Sequence, residues 1–533
     1  MRRLQFVLPE VPMSHSAGPT KRLLSTLLLG GLCLAGCGSA GPAPDRVASN
    51  PVHIEGLGSL SFPNSGNEAA QTPFLRGVLL LHSFEFEPAA EAFVEAQQAD
   101  PQFALAYWGE AMTYNHPLWR QKDVEAARKA LAKLAPTAAE RRDKAGSERE
   151  VMYLDALEAL YAEGSKQQQD LAYMDAMRRL HETYPDDHEA RAFYSLAILG
   201  SRDGARDFAT YMKAASVAQP VFDANPNHPG AAHYIIHSFD DPVHAPLGLP
   251  AAQAYAGIAP NAAHAQHMTT HIFVALGMWS EVVSGNIRAR DTEDAELAAR
   301  GRRPNLCGHY SSWLHYGHLM LGQTAEAEAL MDACYGRMGE EPEANERDYF
   351  LSMRARHVLD TEDWNLTSRW TIDPPADEEG RLTYDFTNAF AALRQGNAEP
   401  ARKLLAGGLK PGSPEQTLLV DELRGLVAMA GGNTSAALGI LRRAAEQEDE
   451  LPFAFGPPQV LKPTFELLGE ELLRLGHAEE AVTAYRRANE RTPGRTLSVR
   501  GLEQAREANL RPPAERTQDH EAAKNQESPR PHH

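Results

Sequence analysis

The feature that most constrains this chain is a recurring order of small and large residues across paired helical segments. Residues 462–493 read KPTFELLGEELLRLGHAEEAVTAYRRANERTP. Gly469, Ala481 and Ala488 fall where two helices must approach closely, and Phe465, Leu472 and Tyr485 fill the space between hairpins. Gly476 marks the turn and Pro493 closes the second helix. A hairpin of this kind leaves one apolar face open, and only the next hairpin covers it. The same frame recurs upstream at Gly77, Leu80, Ala89, Phe93, Ala96 and Pro101, then at Ala104, Tyr107, Ala111 and Tyr114. Further closing prolines fall at Pro185, Pro226 and Pro260, and turn glycines at Gly277, Gly322, Gly396 and Gly432.

This order is similar to the tetratricopeptide repeat. It implies an all-α fold, a TPR-type helical-hairpin solenoid (superhelix) with disordered termini, of about ten or eleven hairpins. Ala, Leu, Glu and Arg dominate the composition, which suits helices better than strands. The frame divides the chain into residues 70–340, an N-terminal array, and residues 341–510, a C-terminal array. Residues 511–533 are polar and Pro-rich and are expected to be disordered. The net charge of −19 argues against nucleic acid as a partner, because phosphate binding needs a basic footprint.

Residues 21–37 read KRLLSTLLLGGLCLAGC. A basic pair precedes an apolar run too short to span a bilayer, and small residues lead to Cys37. The run resembles a bacterial lipobox. The resemblance implies removal of residues 1–36, lipidation of Cys37 and a flexible tether over residues 37–69. With Gly38 rather than Asp after the cysteine, it implies an outer-membrane anchor facing the periplasm. Translation starting at Met13 would leave this signal intact.

Histidine is concentrated: residues 228–318 hold ten of the 21 in the chain, far more than even spreading would give. The repeat frame places His233, His237, Asp240 and Asp241 on the concave groove in one repeat and His264, His267 and His271 in the next. It places Trp108, Met112, Asn115, His116, His309 and Tyr316 there as candidate ligand-binding residues, with His82 further upstream. His244, His315 and His318 fall off the groove. Histidines at i and i+4 share a helix face about 5–6 Å apart, and adjacent helices pack about 8–10 Å apart. His233 and His237 would then face His267 and His271 across one gap. Four imidazoles, or three with Asp240, would suit Zn or Cu, with Asp241 orienting a ligand ring from behind. The same residues would equally line a groove for a peptide.

The segments ALAYWGEAMTYNHPLW (104–119), HPGAAHYIIHSFDDPVHAPLGL (228–249) and HAQHMTTHIFVALGMW (264–279) resemble a bacterial tetratricopeptide family of no established activity. The resemblance covers roughly residues 70–340 and implies the repeat fold alone.

Of four cysteines, Cys33 belongs to the signal and Cys37 to the anchor. Cys307 precedes one helix of a hairpin and Cys334 ends its partner, so an oxidising compartment would join them; a free buried thiol at Cys334 is the alternative.

These observations favour a membrane-anchored scaffold that binds a protein, peptide or small ligand in its groove. The alternative is a metal-binding protein built on the histidine cluster. A metal-dependent hydrolase or oxidase, with Asp240 or Asp241 as base, ranks below both. HExxH, CxxCH, P-loop and GxSxG motifs are absent from the sequence, so the expectation leans away from an enzyme.

Overall fold

The computed structural model of the chain describes residues 50–340 and 342–510. The signal, Cys37 and the 511–533 tail therefore lie outside the described residues. Within them the fold is a succession of helical hairpins with two short two-stranded sheets. No described helix is long and apolar enough to cross a membrane.

Local signals place the helix ends. Asn67, Ser147, Asp187 and Asp207 accept backbone N–H groups from the first turns of the helices that follow them, satisfying donors a helix start leaves open. Gly277, Gly322, Gly396, Gly432 and Gly476 all adopt left-handed backbone at turns between paired helices, a conformation that costs glycine little. Close helix approach follows from missing side chains. A Cβ on Gly109 would lie 2.2 Å from the ring of Phe93, and one on Gly469 would lie 3.0 Å from Tyr485.

One segment folds differently from the sequence expectation. Residues 50–69 are part of the body, not tether. Val52–Ile54 and Gly58–Leu60 form an antiparallel hairpin. Leu57, Leu60 and Phe62 are buried, and the Ser59 N–H donates to Asn227 O at 2.9 Å. Asn225 Nδ2 donates to Ser59 O at 2.8 Å. These bonds give the hairpin's polar groups partners, which its apolar side chains alone could not. A stretch without helix, residues 451–463, separates Thr434–Glu450 from Thr464–Arg474. It runs inward, where Phe455 meets the histidine cluster.

The C-terminal hairpins close back onto the middle of the array. Trp279 Nε1–H donates to Gly494 O at 2.8 Å. A Cβ on Gly277 would lie 2.7 Å from Pro493 O. Arg495, fully buried, bonds Glu466 and Asp360 and reaches Tyr316 Oη. A buried guanidinium needs such a set of acceptors, since an unpaired one would be costly.

Candidate metal centre

Three neighbouring helices carry the site. Pro229–Phe239 begins with proline in its first turn and His228 as its cap, whose Nδ1 accepts the N–H of Ala231. It carries His233 and His237 on one face. Ala263–Ala275 carries His264, His267 and His271. His309 opens the helix His309–Met320. The six histidines form two groups, His233 with His237 and His264, and His267 with His271 and His309. Within each group one ring nitrogen per residue lies within 4.8 Å of the others.

This grouping corrects the sequence reading in three respects. The ring nitrogens of His233 and His237 gather with that of His264, and those of His267 and His271 with that of His309, instead of four meeting across one gap. His309 belongs to the second triad rather than to a ligand groove. Asp240 does not point at the centre but accepts His271 Nδ1–H at 2.5 Å, so it takes the orienting role expected of Asp241. Asp241 is engaged elsewhere, with Arg206 at 3.0 Å and His244 at 2.9 Å.

Hydrogen bonds behind the rings fix the tautomers. His233 Nδ1–H donates to the backbone carbonyl of His82 at 2.7 Å, which leaves its Nε2 bare. His267 Nδ1–H donates to Asn286 Oδ1 at 2.8 Å. The Asn286 amide is oriented by donating Nδ2–H to Val282 O at 2.9 Å. His271 is fixed by Asp240. The Nε2 atoms of His267 and His271 are the ones turned toward the centre, and they lie 3.1 Å apart. His309 Nε2 lies 2.9 Å from His267 Nε2, with Tyr349 Oη 3.2 Å from His309 Nδ1. In the first triad His237 Nε2 lies 3.0 Å from His233 Nε2. His237 Nδ1 and His264 Nε2 are buried without a hydrogen-bond partner.

Burial keeps five of the six rings neutral. Desolvation pushes His233 and His309 down to about 3 and holds His237, His264 and His267 well below the ordinary imidazole range. Neutral imidazole is the form that ligates a metal. Aromatic side chains surround the rings. Phe84 packs 4.3 Å from His233 and 5.5 Å from His264, ring centre to ring centre. Its backbone is left-handed at φ 56°, a strained state for a bulky residue. Trp313 lies 4.6 Å from His267 and 4.5 Å from His271. Phe455 touches one ring of each triad, His237 at 6.0 Å and His271 at 6.1 Å. The stretch that carries it seats Gly456 directly on Trp313, where a Cβ would lie 2.1 Å from the indole.

A third group, His82 with Glu189 and His228, has similar spacing and a different character. His82 Nε2–H donates to Glu189 at 2.8 Å and its Nδ1 accepts from Tyr234 Oη at 2.8 Å. His228 Nε2–H donates to Glu189 at 3.0 Å and its Nδ1 caps the helix. Every ring nitrogen is used, so this network holds structure rather than an ion. It positions His82, whose carbonyl in turn positions His233.

Four of the other expected groove residues lie inside the protein, and His116 is half-buried. Trp108 is fully buried against Phe62, Tyr153 and Phe193. Tyr316 is buried beside Trp279 and Arg495. Met112 and Asn115 are also buried, and His116 stacks on Phe86 at 3.9 Å. Among them Trp108 is covered by Phe62, just past the hairpin at 52–60, and Tyr316 by Arg495 of the C-terminal repeats. Cys307 and Cys334 are joined by a disulfide, Cα to Cα 4.9 Å, two residues before His309.

No protein-family model matches the chain, and no curated protein matches it. Among solved structures, yeast Tom70 is 12% identical, covering 87% of this chain and 93% of that one, with a TM-score of 0.30. The P58(IPK) TPR domain is 12% identical over 83% and 98%, with a TM-score of 0.21. A human IFIT1 dimer with m7Gppp-AAAA is 12% identical over 84% and 92%, with a TM-score of 0.28. Likenesses of this size carry no argument about what this chain binds.

Proposed function

We propose that this protein is a metal-binding protein whose site holds two ions side by side, one in each three-histidine group. The observation that carries it is the contact between His267 and His271. Each ring turns its Nδ1 to an acceptor behind it, so the two Nε2 atoms meet at 3.1 Å in a buried space. Burial opposes protonating His267, and two ring nitrogens turned toward each other at that distance suit a cation between them. Three imidazoles with carboxylate or amide partners behind them form a recurring ligand set for Zn or Cu.

Tetratricopeptide arrays commonly bind proteins or peptides. In this chain that role would fall on exposed faces, because the groove positions are buried. The lipid anchor at Cys37 and an outer-membrane location facing the periplasm belong to the same proposal. The disulfide supports an oxidising compartment.

Metal analysis of the chain purified without a histidine tag tests this reading. After equilibration with zinc or copper and removal of excess ion, about two equivalents per chain are expected. His233→Gln and His267→Gln should each lower the content by about one. Content near zero in the parent protein would end the proposal.

A further inference from the structure

The two triads restrict which ions they can hold. All six donors are imidazoles. Among the described residues Asp240 is the one carboxylate hydrogen-bonded to these rings, and it contacts His271 on the side away from the centre. A second carboxylate, Glu85, accepts the backbone N–H of His264 at 2.9 Å. A pair of divalent ions would gather four positive charges against these two carboxylates; a pair of cuprous ions would gather two, which Asp240 and Glu85 match. Imidazole donors suit copper, and the walls made by Phe84, Trp313 and Phe455 are apolar.

The triads also abut. His237 of one lies 5.8 Å from His271 of the other, and His264 lies 6.1 Å from His267, ring centre to ring centre. Three protein donors leave a coordination position open on each ion. Two adjacent ions would turn both open positions toward one small molecule, as two-metal sites do.

Resting on the two-ion reading above, we infer that the ions are copper and that the site binds dioxygen between the two triads. Each cuprous ion gives one electron. Dioxygen takes both and becomes peroxide bridging two cupric ions. The O–O double bond becomes a single bond, copper–oxygen bonds form, and no proton is consumed. The apolar wall suits a neutral diatomic ligand and keeps water from the peroxide.

The test uses the full chain, loaded without oxygen from an acetonitrile salt of copper(I), desalted, and then titrated with oxygenated buffer. The expected result is about two coppers per chain and about one dioxygen taken up per pair. A new near-ultraviolet charge-transfer absorption should accompany the uptake, with no cupric electron paramagnetic resonance signal, because the two spins couple. Two bound coppers with no uptake, or with the full signal of isolated cupric ions, would overturn the dioxygen inference and leave the two-ion reading standing. No bound copper would overturn the dioxygen inference, and no bound copper together with no bound zinc would overturn both. The same absorption from zinc-loaded protein would also overturn the inference. His309→Gln, which leaves the His233 triad intact, should lose oxygen uptake at least tenfold; undiminished uptake would count against a shared site.

Discussion

Asp240 Oδ2 accepts the Nδ1–H of His271 at 2.5 Å, and that bond decides which nitrogen of His271 faces the centre. The carboxylate lies just past the end of the helix Pro229–Phe239, which bears the other triad's His233 and His237. One residue thus ties the helix of the first triad to a ligand of the second. Asp240→Ala is expected to weaken metal binding at the second triad by about 10–100-fold and leave the first little changed. Competition against a chromophoric chelator measures both steps. Equal affinities in variant and parent would refute the orienting role.

Gly230 sits where a Cβ would lie 2.3 Å from His82 Nδ1. The ring of His82 is held between Tyr234 and Glu189 and cannot retreat without breaking a buried bond. Gly230→Ala is expected to destabilise the protein by about 1–3 kcal/mol. Urea unfolding reports it; an unchanged midpoint would show that the network yields freely.

The Cys307–Cys334 bond closes a loop of sequence separation 27 and anchors the chain just ahead of His309. Reduction is expected to lower stability by about 3 kcal/mol. It should also speed metal loss from the second triad, since His309 is its one ligand outside the helix Ala263–Ala275. Metal release followed with and without reductant checks this; equal rates would mean that the helix start holds His309 unaided.

Away from the site, His315 Nε2 and His357 Nδ1 lie 3.0 Å apart in the core. Burial pushes His357 down to about 4 from an ordinary value of 6.5. The unfolded chain therefore binds a proton there before the folded one does. The resulting stability is fully present above about pH 6.5 and is lost as pH falls toward 4. Melting temperature of the metal-free protein should drop across that window. His357→Gln should make the drop shallower; an identical pH profile would exclude the residue as a contributor.

The repeat frame was legible because packing physics writes it into every hairpin. Gly469 against Tyr485 and the turn glycines need no knowledge of distant residues. The frame also named five of the six clustered histidines as metal candidates, since i, i+3 and i+4 spacings are local. What it missed depends on contacts between remote segments. His309 joins His267 across 42 residues, and no local pattern states that pairing. The roles of Asp240 and Asp241 differ through one peptide's turn at a helix end. The frame assigns Trp108 to an open groove because it assumes one, whereas Phe62, two residues past the hairpin Val52–Leu60, packs on it at 5.8 Å. Phe455 is a similar case: nothing in a Pro-rich stretch announces that it will turn inward.

Anomalous diffraction from crystals of the copper-loaded chain, collected on both sides of the metal edge, tests the central claim most directly. Two peaks are expected in the interior. One should lie about 2.0–2.1 Å from nitrogens of His233, His237 and His264, and the other at the same distance from nitrogens of His267, His271 and His309. A single peak shared by His233, His237, His267 and His271, or no peak among these rings at full copper occupancy elsewhere, would contradict the two-ion centre.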